Sequence, residues 1–296
     1  MSFFVGFDMG GTSIKHVLID SQYTIVDKGS FKTLNTKGAS GAIEEILHVV
    51  DSYASHVNQE IKSVGIGCTG PIDTSSGIIY NPYTLPGFEG HSLRESIEKP
   101  LGIPVFIDND SNTAHYGELV HCKLTTPNSL MITFGTGIGV SARLDGSLYR
   151  TPGNIHPEIG HMTVSISSPG TCYCGRTHCF EHIMSGTAIN TYARNIYGKR
   201  PEEVLEGCNK TSAEEFLNRM VVATTDAIST LAMIFSSETV FIGGGLHAFI
   251  GKYVLPPVQE KLTEILPVYG KTTLVEARMG PFAGSYGAAI LAAEEI

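Results

Sequence analysis

Apolar residues along this chain alternate between two rhythms. Short runs rich in β-branched and aromatic residues read as strands over 3–7, 13–19, 24–31, 63–67, 104–107, 129–134, 140–144, 239–242 and 273–277. Between them, apolar positions recur at helical spacing. Over 42–59, Ile43, Ile46, Leu47 and Val50 share one face. Further helices are expected over 92–98, 213–236, 253–265 and 284–294. Another should begin after strand 104–107, with Asp110 or Ser111 as its N-cap. The first three strands read as a hairpin-connected sheet, and 129–134 turns back on 140–144, with a further turn at Asp145-Gly146. Strands alternating with helices predict an α/β architecture.

Three of these strands run into glycine-rich turns: Asp8-Met9-Gly10-Gly11-Thr12, Gly135-Thr136-Gly137-Ile138-Gly139 and Gly243-Gly244-Gly245. Ligands of open α/β sheets sit at the carboxyl ends of strands. Glycine admits a phosphate close to backbone N–H groups because no Cβ intervenes. One such turn alone reads as a plain tight turn, but three at strand ends suit an extended polyphosphate nucleotide. Gly10, Gly11, Thr12, Gly135, Thr136 and Gly137 are the candidate phosphate contacts, with the two threonines adding hydroxyl donors. Gly243, Gly244 and Gly245 lack a hydroxyl and are assigned to the adenosine end. Asp8 is placed to hold magnesium, through water. Lys15, on the outgoing strand, is a weaker candidate to offset phosphate charge. Neither the Walker A pattern nor the dinucleotide G-x-G-x-x-G fingerprint is present.

A second cluster has different chemistry. His161, Cys172, Cys174 and Cys179 fall close together, bracketed by Glu158 and Glu181. Imidazole and thiolate are the ligands of a closed tetrahedral zinc site, and four protein ligands leave no open position, so a structural zinc is expected. The competing reading is three ordinary thiols and an unrelated histidine. A thiol redox role for Cys172 and Cys174 is a further alternative, and it predicts metal-free protein with titratable thiols.

Asp110, at a strand end and a helix start, is the candidate general base. Asn109 beside it can donate and accept at once, which suits a hydroxyl pair. Taken alone, Asp108-Asn109-Asp110-Ser111 also reads as a polar helix cap. Glu158 and Glu181 suit the hydroxyls of a polar substrate, since ionised carboxylates accept strong bonds from O–H donors. The alternative for both is simple surface exposure. One nitrogen of His161 would bind metal and the other would meet a substrate oxygen or a supporting partner.

Composition narrows the class. The chain has 296 residues, enough for one large or two ordinary domains, and 20 basic against 29 acidic residues give −9. An acidic chain without a basic stripe is a poor nucleic-acid binder. Six cysteines at these spacings are not a disulfide framework. The first residues lack a signal-peptide pattern, and the most apolar stretch, 228–246, is too interrupted for a membrane span. A cytoplasmic protein acting on small molecules is expected, with no membrane and no nucleic-acid partner.

Taken together these residues resemble the ROK family of sugar kinases and repressors along nearly the whole chain. The resemblance rests on Asp8-x-Gly-Gly-Thr12, Gly67-x-x-Gly70-Pro71, Asn109-Asp110, Gly135-Thr136-Gly137-Ile138-Gly139, Glu158-x-Gly160-His161, Cys172-x-Cys174-Gly175-x-x-x-Cys179-x-Glu181, Gly243-Gly244-Gly245 and Ala283-Gly284-x-x-Gly287-Ala288-Ala289. It implies an actin-like, ribonuclease-H-like pair of α/β domains with an interdomain cleft that closes over substrate. Domains are expected at 1–111 with 284–296, and at 112–283. It implies transfer of phosphate from ATP to a sugar hydroxyl, usually the 6-OH of a hexose, with glucose and N-acetylmannosamine the leading substrates and allose, fructose or a β-glucoside as alternatives. Asp110 would be the base. Asn109, Glu158, His161, Glu181, Gly70 and Gly87 would meet the sugar, and His161, Cys172, Cys174 and Cys179 would hold zinc. A homodimer is expected. Pro157 after His156, His178, Ser141 and Thr84 depart from residues common in the family, so the loops at 84 and 155–157 leave sugar identity open. Two other classes compete with this reading, a repressor and a non-catalytic sugar sensor. With a first strand at 3–7, no preceding winged helix is expected, and the retained Asp8 and Asp110 speak for catalysis.

Overall fold

Two five-stranded mixed sheets organise the chain in the computed structural model, which describes residues 2–33, 38–80, 85–151, 156–265 and 271–296. In the first half lie β1 (Phe3–Met9), β2 (Ser13–Asp20), β3 (Ile25–Lys32), β4 (Ile61–Cys68), the short ribbon β5 (Ile72–Asp73) and β6 (Ile78–Ile79), and β7 (Val105–Asn109). The sheet order is β3-β2-β1-β4-β7. The first three strands are an antiparallel meander, and β4 and β7 add in parallel. The second half holds β8 (Ser129–Phe134), β9 (Ile138–Leu144), β10 (Ser147–Leu148), β11 (Thr239–Gly243) and β12 (Thr273–Glu276), in the order β10-β9-β8-β11-β12. Again a meander is followed by two parallel strands. This duplicated order is the actin-like two-domain fold.

The helices are α1 (Gly38–Val57), α2 (Leu93–Leu101), α3 (Asp110–His121), α4 (Phe180–Met184), α5 (Gly186–Tyr197), α6 (Pro201–Gly207), α7 (Lys210–Phe235), α8 (His247–Phe249), α9 (Leu255–Ile265) and α10 (Ala283–Glu294). Expected strands and long helices are found with ends moved by a few residues. The segment α4–α6 is helical where no helix was expected; α4 and α6 are five and seven residues long, too short for a helical period to show. Helix α7 starts ahead of residue 213 because Asn209 caps it, its Oδ1 accepting from the Ser212 N–H at 3.0 Å. Neither Asp110 nor Ser111 is the N-cap of α3. Asn109 is, with extended backbone and its Oδ1 accepting from the Ser111 N–H at 2.9 Å, so Asp110 is the first helical residue.

The chain divides into two compact units: Met1–Thr125 with Tyr149–Pro157 and Met279–Ile296, and Thr126–Leu148 with Glu158–Arg278. The first therefore keeps α3 and gains 149–157, unlike the expected division at 111/112. Close backbone contact fixes α3 there. A Cβ on Gly117 would lie 2.4 Å from the Ala283 carbonyl oxygen, and one on Gly287 would lie 1.8 Å from that of Thr113. Arg150 forms an ion pair with Asp108 of the same unit.

In the first unit the strand period of two sorts the faces of β1. Phe3, Val5, Phe7 and Met9 join Ala42, Ile46 and Val50 of α1 and Leu93 and Ile97 of α2 in one core. The opposite face receives α10, with Gly6 and Gly65 beneath it. A Cβ on Gly65 would stand 1.9 Å from the Ala288 carbonyl oxygen. Gly65→Ala is therefore expected to destabilise the protein by about 2–4 kcal/mol in urea unfolding, since backbone must move to admit one methyl. A loss below about 0.5 kcal/mol would show that α10 is not seated there. In the second unit, apolar side chains of β8, β9 and β11 pack with Phe180, Ile183, Met184, Ile189, Phe216 and Met220 from α4, α5 and α7. No described helix is long and apolar enough to cross a membrane.

Candidate active site

In the first unit the expected residues collect at the carboxyl ends of β1, β4 and β7. Strand register sets Asp8 beside Gly67, and Gly67 beside Asp108. Asp8 points to the α10 face, where a Cβ on Gly284 would come within 2.8 Å of its Cγ. Only glycine lets the start of α10 approach that carboxylate. Lys15, across the β1–β2 pair, brings Nζ to 3.7 Å from Asp8 Oδ2. Burial nevertheless pushes Asp8 up to about 6, with Lys15 opposing and the charge of Asp110 adding to the rise.

Asp110 is raised as well. Desolvation is the main cause, opposed by hydrogen bonds from Ser111 and Thr69. Its Oδ1 accepts from the Ser111 N–H at 2.7 Å. A carboxylate desolvated in this way is a stronger base than one in water. Asp8 and Asp110 raise each other's cost of ionisation, which a bound cation would relieve. Carboxylate oxygens in that number suit magnesium held partly through water. Asn109 is buried and spends its Oδ1 on the cap of α3.

The first glycine turn is pinned from behind. Gly10 donates to the Ser13 carbonyl at 3.2 Å, and its own carbonyl accepts from the Thr33 hydroxyl. Gly11 and Thr12 stand exposed, free to meet a ligand. Gly70 follows the end of β4. Gly87, at φ 89°, donates its N–H to Glu89 at 2.6 Å. Thr84 and residue 155 lie outside the described residues. His156 is buried and Pro157 half-buried.

The second unit brings together its own set. The Gly135–Gly137 turn closes on itself, Gly135 N–H to Gly137 carbonyl at 3.0 Å, and leaves Thr136 exposed. Glu181 Oε2 accepts from the Ile138 N–H at 2.8 Å. A Cβ on Gly137 would lie 2.7 Å from that same oxygen, so glycine there is what lets Glu181 reach the turn. One carboxylate thus links the second glycine turn to His161. Gly243 is buried against Met131 and Ala277, so close approach at the third turn falls to Gly244 and Gly245, which are exposed.

His161 faces two ways. Its Nδ1 lies 3.3 Å from Cys179 Sγ and 3.7 Å from Cys172 Sγ. The four ligand atoms of His161, Cys172, Cys174 and Cys179 all lie within 4.8 Å of one another. Tetrahedral zinc, with bonds of about 2.0–2.3 Å, fits a set of that span. The thiol chemistry agrees. Burial raises Cys172 and pushes Cys179 up to about 12, with neighbouring sulfurs adding repulsion. Burial acts on Cys174 too, but bonds from the Arg176 backbone and the other two thiols outweigh it and lower the value. Three thiols so packed cannot all ionise without a cation among them. The segment has little regular structure of its own: a 3₁₀ turn at Ile159–His161 and a bridge from Thr163 to Cys179. Arg176 holds the His161 carbonyl at 2.7 Å.

The other nitrogen, Nε2, turns outward. It lies 3.7 Å from Glu181 Oε1 and 2.6 Å from the hydroxyl of Tyr173. Desolvation of that hydroxyl, then the charges of Glu181 and Glu158, raise the phenol and keep it protonated. Glu158 itself is exposed. Sequence reading singled out neither Tyr173 nor Arg150. Tyr173 had one available signal, a bulky aromatic in the middle of C-x-C. The Arg150–Asp108 pair had none.

The ROK family model matches residues 4–295, and the chain belongs to the ROK family. It is 29% identical to the glucokinase of Thermotoga maritima, over 99% of this chain and 98% of that protein. It is 26% identical to the N-acetylmannosamine kinase of Vibrio cholerae, over 97% and 96%. Its structure is similar to that of a ROK family glucokinase from Streptomyces griseus in complex with glucose and AMPPNP, at a TM-score of 0.78 and 25% identity, over 99% of this chain and all of that one.

Proposed function

We propose that this ROK chain is an ATP-dependent sugar kinase that transfers the γ-phosphate to the 6-hydroxyl of a hexose or N-acetylhexosamine. Glucose and N-acetylmannosamine are the leading substrates, matching the names of two relatives. The observation that carries the reading is Asp110: a desolvated carboxylate on the first residue of α3, at the end of a parallel strand and electrostatically coupled to Asp8.

In this reading Asp110 accepts the proton of the attacking hydroxyl. Glu158, His161 and Glu181 hold the ring hydroxyls. The exposed backbone of the three glycine turns receives the nucleotide, with Thr12 and Thr136 as hydroxyl donors and Lys15 beside Asp8. Asp8, together with water, would hold magnesium, which when bound would supply charge neutralisation on the phosphates. Because the phosphoryl transition state is loose, alignment and electrostatics do most of the work and the base assists late. His161, Cys172, Cys174 and Cys179 would hold a zinc that, when bound, would keep Glu181 and His161 in place without entering the reaction. The protein works in the cytoplasm as a homodimer.

ADP release measured across glucose, N-acetylmannosamine, allose, fructose, a β-glucoside and 6-deoxyglucose tests both the class and the position. Release is expected with at least one hexose, with 6-deoxyglucose silent. ADP release sustained by the 6-deoxy sugar at the rate of its parent would refute the 6-hydroxyl assignment.

A further inference from the structure

Tyr173 is the residue that the proposed chemistry leaves unused, and it stands where that chemistry is densest. It lies between two zinc-type ligands, Cys172 and Cys174, whose side chains turn inward. Its hydroxyl comes within 2.6 Å of His161 Nε2. The same hydroxyl is hydrogen-bonded to Glu181. With Nδ1 turned toward the sulfurs as a ligand, the imidazole proton belongs on Nε2. The phenol oxygen then accepts from His161, and the phenol proton goes to the Glu181 carboxylate.

That is the bonding a sugar hydroxyl would make at the same two groups. An alcohol O–H also donates to a carboxylate and accepts from an N–H. Resting on the kinase reading above, we propose that Tyr173 is a specificity-determining residue that acts as a built-in competitor: its hydroxyl occupies the His161–Glu181 pair until a sugar hydroxyl displaces it.

Two features make the phenol displaceable. The residue is 80% exposed, so burial does little to retain it. Its ring meets His161 edge-on at a centroid distance of 4.7 Å, one contact rather than a packed socket. By contrast, the Glu181 oxygen that anchors the glycine turn is a different one, Oε2, so the turn need not move when the phenol leaves.

The consequence is a levelling of selectivity. A sugar that offers a hydroxyl to the pair exchanges one bond for an equivalent one. A sugar lacking that hydroxyl leaves Tyr173 in place and loses less than it would at an open site. The competitor thus weakens binding of the true substrate and compresses discrimination at that one hydroxyl.

Tyr173→Phe keeps the ring and removes the competing bond. Its sugar Kd by calorimetry without ATP, and its KM for the sugar, are expected to fall by about 3- to 10-fold, the range of one net hydrogen bond. The gain should appear in KM and not in kcat. Across a set of monodeoxy sugars, the one lacking the hydroxyl that meets the pair should show no gain. Tyr173→Ala should move Kd in the same direction, which guards against an effect of the phenylalanine ring, and zinc content should stay at the wild-type level in both. An unchanged or raised Kd for the parent sugar in both variants, with zinc retained, overturns the proposal. So does an equal gain for every monodeoxy sugar. If wild-type protein releases no ADP with any sugar, the kinase reading fails instead, and calorimetric binding still decides the role of Tyr173.

Discussion

Asp110→Asn is expected to lower kcat for sugar phosphorylation by about 10²–10⁴-fold while sugar binding is largely kept. Asparagine is the same size and still accepts from the Ser111 N–H through its carbonyl oxygen, so the start of α3 is preserved. What it lacks is a site for the proton. The loss should not come from unfolding, and the sign of the electrostatics says why. Asp8 has a folded value of about 6 against 3.8, and Asp110 is raised in the same direction. A carboxyl raised on folding binds more protons folded than unfolded between its two values. Its contribution to stability therefore falls as pH rises through that window, here from about 3.8 to about 6 for Asp8, and stays at its low plateau above. Removing the Asp110 charge relieves repulsion with Asp8, so Asp110→Asn should melt no lower than wild type at pH 8. Thermal melts beside ADP-release kinetics check both halves. A variant with near-normal turnover would remove Asp110 as the base.

Stripping the metal is expected to have the largest effect on stability. Structural zinc contributes roughly 10–16 kcal/mol of apparent binding free energy in small peptides, and here it would organise a stretch with little regular structure. Chelation, or Cys179→Ala at a fully buried ligand, should release one zinc per chain and lower the melting midpoint by ten degrees or so for every few kcal/mol lost. Sugar affinity should fall with it, because His161 and Glu181 lose the frame that holds them. Zinc released against a colorimetric chelator, followed together with the melt, reads this directly. Metal-free protein of full stability, with Cys172 and Cys174 freely oxidised to a disulfide, would favour the redox alternative.

Much of this was legible in the sequence, for identifiable reasons. Buried parallel strands are short apolar runs, and β1, β4, β7, β8 and β11 all announced themselves that way. Glycine turns at strand ends, and a histidine and three cysteines close in sequence, are visible without a structure, and the fold brings those four side chains together. What escaped depends on contacts between distant positions. That Asn109 rather than Asp110 caps α3 turns on one backbone angle, since both residue types cap well. That α3 belongs with the first unit follows from the fit of Gly117 and Gly287 against α10, which no local pattern announces. Helix α6 is a seven-residue piece stabilised by its cap and the burial of Val204, too short for periodicity to reveal. The glutamate at 181 was read as a substrate group, yet its second task, holding the Ile138 N–H, required knowing that Gly137 lies against it.

The central claim is that ATP's terminal phosphate ends on a sugar oxygen. Phosphorus NMR of a reaction containing the protein, magnesium-ATP and the best hexose of the panel tests it most directly. A sugar phosphate monoester should appear mole for mole with ADP, and only when the hexose is present. ADP formed together with inorganic phosphate, or equally without sugar, would contradict it.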